Sequence, residues 1–136
     1  MSDTFADFSL IASAQAATAK SKDVSPADQP VPAEVSEMED GNGKIKFQND
    51  FGHPFYINDR DTKTKSVCDD ACSETWAPVR AHNNAQPMGN WTLLDRGKGY
   101  MQWVYKGKPI YSNVPQVVTG SDPELNNDGH WHVLVP

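Results

Sequence analysis

Two pairs of side chains in this sequence carry reactive chemistry at short spacing. His130 and His132 stand two apart in "HWHVLV". Successive side chains of a strand alternate faces, so on a strand both rings point the same way. Paired imidazoles suit Cu or Zn, and His53, His82 and Met101 are the further ligands on offer. Tight binding needs at least three ligands to converge, which is a tertiary property. The second pair, Cys68 and Cys72, are the only cysteines. An even count in a small domain implies one disulfide formed in an oxidising compartment. The competing reading is a redox-active pair. Its spacing is longer than Cys-x-x-Cys, and Asp69, Asp70 and Glu74 disfavour the thiolate, although a helix amino end would oppose them. A reduced metal pair would need two more ligands from elsewhere.

The remaining polar clusters read as structure. Asp122, Glu124, Asn126, Asn127 and Asp128 offer oxygen ligands, but their glycine, Gly129, comes too late for an EF-hand loop. A solvated turn is expected there. Asp59 and Asp61 read as a charged loop beside Arg60 and Lys63. Gly-x-Ser-x-Gly, His-Glu-x-x-His and a glycine-rich phosphate loop are all missing.

The elements that must position these groups are short strands. Strand signals occur in "KIKFQ" (44–48), "HPFYIND" (53–59), "NWTLLD" (90–95), "YMQWVYK" (100–106), "KPIYSN" (108–113) and "HWHVLV" (130–135). Met101, Trp103 and Tyr105 alternate with Gln102, Val104 and Lys106, the pattern of a half-buried strand. "YKGKPIY" reads as a hairpin turning at Lys106-Gly107, and "DDACSETW" as one or two helical turns with Asp69 and Asp70 at the amino end. Long loops are expected at 60–75 and 114–129. Trp76, Trp103 and Trp131 are expected in the core, with Trp91 and Tyr100 exposed.

Two stretches nearly repeat: "GHPFYIN" (52–58) and "GKPIYSN" (107–113). A shift of 55 superposes Gly52, Pro54, Tyr56 and Asn58 on Gly107, Pro109, Tyr111 and Asn113, and carries Trp76 onto Trp131 and Val79 onto Leu134. This is a tandem repeat. Glycine permits a positive φ, proline fixes a strand entrance, and a partly buried tyrosine needs a partner for its hydroxyl. A repeated supersecondary unit explains these types better than a duplicated ligand site lined by tyrosine and asparagine.

The composition divides the chain at about residue 44. Eight acids against three lysines over residues 1–44 leave −5 of the chain's −6. The acidity belongs to the leading segment, and with no cluster of Lys and Arg, nucleic acid is not an expected partner. No apolar run reaches the roughly 20 residues of a membrane span. "FSLIASAQAA" (8–17) has the apolar end and the Ala14-Gln15-Ala16 site of an export signal, while Asp3 and Asp7 stand where its basic start belongs. Residues 18–43 are rich in Pro, Ala, Ser and acids and hold no aromatic residue. Residues 1–43 are therefore expected to be a disordered leader and acidic linker. Residues 44–136 form the domain, with repeats at about 44–80 and 99–136.

"DFGHPFYINDRD" (50–61), "CDDACSETWAPV" (68–79), "QWVYKGKPIY" (102–111) and "DGHWHVLV" (128–135) together resemble the secreted-repeat family, predicted lipoproteins with a Tyr-x-(Phe/Trp/Tyr)-x-x-Asp motif. The resemblance covers nearly the whole domain. Tyr56 and Asp61 fit the ends of the motif, Asn58 and Asn113 replace its aromatic, and Gln116 stands where the second Asp belongs. No lipobox cysteine precedes the domain. The resemblance implies an exported bacterial β domain, periplasmic or secreted, and places its repeat or binding residues at Tyr56, Asn58, Asp61, Trp76, Trp103, Tyr105, Tyr111, Asn113 and Trp131.

The resulting expectation is an all-β, sandwich- or barrel-like domain of two related halves, stapled by Cys68–Cys72. The leading function is an exported, non-catalytic module that binds a partner protein or a cell-envelope component. A periplasmic copper-binding or redox-associated protein using His130 and His132 is the alternative, and an uncharacterised enzyme the third reading. No cofactor is expected under the first.

Overall fold

The structure is a computed structural model, and it describes residues 30–136. The "FSLIASAQAA" segment and the linker up to residue 29 lie outside the described residues.

Among the described residues nine short strands, punctuated by turn residues, make three sheets. Strands β1 (Ser36–Glu39) and β2 (Ile45–Gln48) form an antiparallel hairpin. Strand β3 (Tyr56–Asn58) follows, then helix α1 (Ala71–Thr75) running into β4 (Trp76–Pro78). The second half repeats this order. A hairpin of β5 (Trp91–Asp95) and β6 (Met101–Tyr105) is extended by β7 (Lys108–Pro109). Then come β8 (Tyr111–Asn113), helix α2 (Val114–Thr119), a 3-10 turn (Pro123–Asn126) and β9 (Trp131–Val133). The all-β expectation holds.

The four-stranded sheet runs β4-β8-β3-β9. Strands from the first and second halves therefore alternate across it, and no two neighbours belong to the same half. Tyr56 pairs with Tyr111 at the centre. On one side Trp76 faces Asn113 and Pro78 faces Tyr111; on the other Trp131 faces Asn58 and Val133 faces Tyr56. Each of these pairs maps onto its counterpart by the shift of 55. So do two flanking bonds, Val79 N–H to Ile110 C=O (3.1 Å) and Leu134 N–H to Phe55 C=O (2.8 Å). The repeat seen in the sequence is thus an approximate internal twofold whose final strands are exchanged between halves.

Period-two alternation sorts the central sheet into two cores. Tyr56, Trp76, Tyr111 and Trp131 fill one face with Cys68, and the two tryptophan rings stack across the halves at 4.3 Å and 7°. Phe55, Ile110, Val79 and Leu134 fill the other face, packed on Phe47, Trp91, Trp103 and Tyr105 from the hairpins.

Several expectations need correction. The segment 30–43 was expected in the linker, yet it contributes β1, a buried Val35 and the Glu34 carboxylate that accepts from the Trp103 indole at 2.8 Å. The Asp40 carboxylate organises the hairpin turn by accepting the N–H groups of Asn42 and Lys44. The domain therefore begins well before residue 44, and each repeat includes the hairpin that precedes its glycine. The loop expected at 114–129 holds α2, whose start is capped by the Asn113 side chain on Gln116 N–H. Trp91 is 1% exposed rather than on the surface, because Phe47 and Tyr105 enclose its ring. Strand β6 is not half-buried: Gln102 to Tyr105 are all enclosed, with Gln102 held by Arg96 and the Ile110 carbonyl. The turn at Lys106-Gly107 is as expected, with φ of 48° and 83°, the two-residue geometry that suits a right-twisted hairpin.

Candidate binding site

The repeat-motif residues are the joint between the halves. The Tyr111 hydroxyl donates to Asp61 Oδ2 at 2.6 Å and also contacts the Ser66 hydroxyl. The Tyr56 hydroxyl donates to Gln116 Oε1 at 2.8 Å. Asp61 and Gln116 are equivalent under the shift of 55, so each tyrosine reaches the residue five beyond the other half's tyrosine. Asp61 is buried, and its second oxygen accepts the Val67 N–H at 2.7 Å. Burial, reinforced by the Asp61 carboxylate, raises the Tyr111 pKa far above that of an ordinary phenol. Burial raises Tyr56 as well. Asn58 and Asn113 are buried at equivalent positions, each closing a turn through its side-chain oxygen. Trp76, Trp103, Tyr105 and Trp131 are also buried. None of these nine side chains presents a face to a ligand from solvent.

Cys68 and Cys72 form a disulfide, with Cys68 fully enclosed. It ties the 60–75 connection to the start of α1, and the Cys68 carbonyl is held by Arg96 Nη2 at 2.6 Å. Its burial leaves no open sulfur for a redox partner on that side.

His130 and His132 do project together, as their spacing implies, but onto a carboxylate. His130 Nδ1 lies 2.8 Å from one oxygen of Asp59, and His132 Nε2 lies 3.0 Å from the other. The hydrogen bonds from His132 and then His130 hold the Asp59 carboxyl below the usual carboxylate range. Of the further ligands, His82 bonds Glu34 and Met101 starts β6 in a different sheet. Among the described residues no group of three or more His, Cys, Asp or Glu is arranged to hold a metal ion. The convergence required of a Cu or Zn centre at His130, His132, His53 and Met101 is thus not found. In the acidic turn, Asp122 caps the 3-10 segment, Asp128 pairs with Arg60, and Asn127 grips Trp131.

An open apolar groove of about 410 Å³ lies between β2 and the end of the chain around β9. Ile45, Phe47 and Pro54 form one wall and Val133 to Pro136 the other, with Lys44 and Lys46 at its margin. Strand β9 is an edge of its sheet, and Val133 and Val135 are exposed. On the side away from β1, strand β2 is bridged by Pro54 at Gln48, and among the described residues its edge is open from there back to Ile45. Asp40 N–H bonds the Lys44 carbonyl, which fixes the ladder so that Lys46 and Gln48 face β1 while Ile45 and Phe47 turn their backbone groups into the groove. Sequence reasoning missed this site, because no single residue in it is chemically distinctive. Its only signal was the short β-branched and aromatic run "KIKFQ" beside "VLVP".

No helix among the described residues is long and apolar enough to cross a membrane. No family model, curated protein or solved structure matches the chain.

Proposed function

We propose that the chain is an exported, non-catalytic β module that binds a partner protein or a cell-envelope component. The observation that carries this reading is the groove beside β2, where a strand edge, apolar walls and two exposed valines lie together at the surface. Sheet edges left open in this way template the pairing of another chain, and proteins normally block them. The disulfide supports an oxidising compartment, since such bonds do not persist among reduced cytosolic thiols. The resemblance to the secreted-repeat family supports the same location. Its motif residues here serve as the interlock between halves, so recognition falls to the surface around them.

The test is amide hydrogen exchange on the full chain, with and without solubilised envelope material from its own source. Added protection is expected at Ile45–Phe47 and Val133–Val135. Protection confined to other surfaces, or none at all, would sink the assignment of the binding face.

A further inference from the structure

The internal repeat contains both an open and a filled version of the same slot. In the second half, the outward groups of β6 are paired by the chain that leaves β4. Trp103 N–H bonds the Val79 carbonyl at 2.9 Å, and Ala81 N–H bonds the Met101 carbonyl at 2.9 Å. Residues 79–81 thus lie along β6 as an added antiparallel strand, with Arg80 opposite Gln102. Strand β2 is the counterpart of β6: Gln48 bridges Pro54 as Val104 pairs Pro109, which sets Phe47 against Trp103 and Ile45 against Met101. The chain leaving β9, residues 134–136, is the counterpart of 79–81.

In the first half the slot stays open. Leu134 makes the shared bond to Phe55, but no bond among the described residues closes the Phe47 N–H or the Ile45 carbonyl. Pro136 stands where Ala81 stands in the other half, and proline lacks the N–H that Ala81 donates. The charge at the margin differs too. In the filled slot the Arg80 guanidinium lies 3.9 Å over the Tyr100 ring. At the open slot Lys44 takes the place of Tyr100 and Lys46 stands beside it, and among the described residues no Asp or Glu side chain lines the groove, Asp40 lying in the turn next to the two lysines.

We infer that the groove takes an extended, acidic peptide segment of a partner protein, paired antiparallel to β2 as residues 79–81 pair with β6. The inference rests on the binding-module reading and specifies its ligand. The Phe47 N–H and the Ile45 carbonyl supply the register. The apolar walls take alternate side chains, and Lys44 and Lys46 select carboxylates at the rim.

The experiment titrates the full chain with three synthetic heptapeptides, followed through the backbone amide resonances of Ile45 and Phe47. One alternates valine with glutamate, one alternates valine with lysine, and the third is the first with proline in place of two successive valines of the alternation. The glutamate peptide is expected to shift both amides and to bind roughly tenfold more tightly than the lysine peptide, from two exposed ion pairs. The proline peptide is expected to lose binding, and Lys44→Glu with Lys46→Glu to reverse the charge preference. Equal affinity for both charges, or shifts that bypass Ile45 and Phe47, would overturn the inference. So would protection of these amides in the free chain at high dilution, which would assign the slot to the chain's own residues 1–29, or protection that grows with protein concentration, which would assign it to a second copy. If envelope material protects Ile45–Phe47 while all three peptides fail, the module reading stands and the acidic-peptide inference falls.

Discussion

At the residue scale, the two tyrosine hydroxyls make equivalent bonds to unlike partners, and this asymmetry has a measurable consequence. Tyr56 donates to a neutral amide and Tyr111 to a buried carboxylate. Removing a donor from a buried charge costs more than removing one from a neutral group. Tyr56→Phe is expected to destabilise the fold by about 1 kcal/mol, and Tyr111→Phe by about 2–3 kcal/mol. Guanidinium unfolding of both variants checks the order, and equal costs would refute it. Tyr111 also sets an alkaline limit. Its folded pKa lies above its unfolded value, so its contribution is complete below the ordinary phenol pKa near 10 and is lost as pH rises through the folded value. Stability should fall once pH passes about 10. In a spectrophotometric titration, Tyr111→Phe should remove a phenol that ionises only with unfolding. If every tyrosine ionises reversibly at ordinary values, the burial of Tyr111 is wrong.

At the element scale, the two edge strands of the central sheet are protected by different devices at equivalent positions. The Trp76 N–H at the start of β4 is taken by the Cys72 carbonyl in the first turn of α1. The Trp131 N–H and carbonyl at the start of β9 are both taken by the Asn127 side chain, at 3.2 and 2.9 Å. A single carboxamide thus imitates one rung of a neighbouring strand and leaves the rung at Val133 open. Asn127→Ala should cost about 1 kcal/mol and speed amide exchange at Trp131 while leaving Trp76 unchanged. Unaltered exchange at Trp131 would refute the clamp. This division also explains what the sequence could reveal. The strands β3, β5, β6 and β8 announce themselves through aromatic and β-branched runs between glycines. Strand β1, "SEME", does not, because its burial comes from Val35 before it and its pairing from the Asp40 turn after it. Segment 114–119 reads as a loop because it is short and begins with Val-Pro, and its helix depends on the Asn113 cap. The shared face of His130 and His132 was legible from spacing, whereas Asp59 as their partner was not, since it arrives from β3 across the sheet. In the same way the five-residue interval from Tyr56 to Asp61 and from Tyr111 to Gln116 is visible in the chain, but the crossing of those bonds between halves is not.

At the scale of the whole molecule, alternation of the halves across the central sheet makes the fold indivisible. A half that carries β3 and β4 holds two strands that never touch each other, because β8 lies between them. The same half would leave the Tyr56 hydroxyl without Gln116, the Asp61 carboxylate without Tyr111, and Trp76 without the ring of Trp131. Burial of unpaired polar groups and an unfilled core face both oppose folding, so neither half should form its share of the sheet alone. The central pairings also join residues far apart in sequence, such as Tyr56 with Val133, so loop-closure entropy is spent before these contacts form. Unfolding is therefore expected to be a single transition, with tryptophan fluorescence and far-ultraviolet circular dichroism coincident in guanidinium, and refolding to take roughly milliseconds to seconds. Trp91 and Trp103 report on the β5–β6 hairpin, and Trp76 with Trp131 on the interlock, so fluorescence samples both regions. If the hairpin signal persists after the interlock is lost, the halves have separable stability, and the exchanged strands are a consequence of folding rather than its condition.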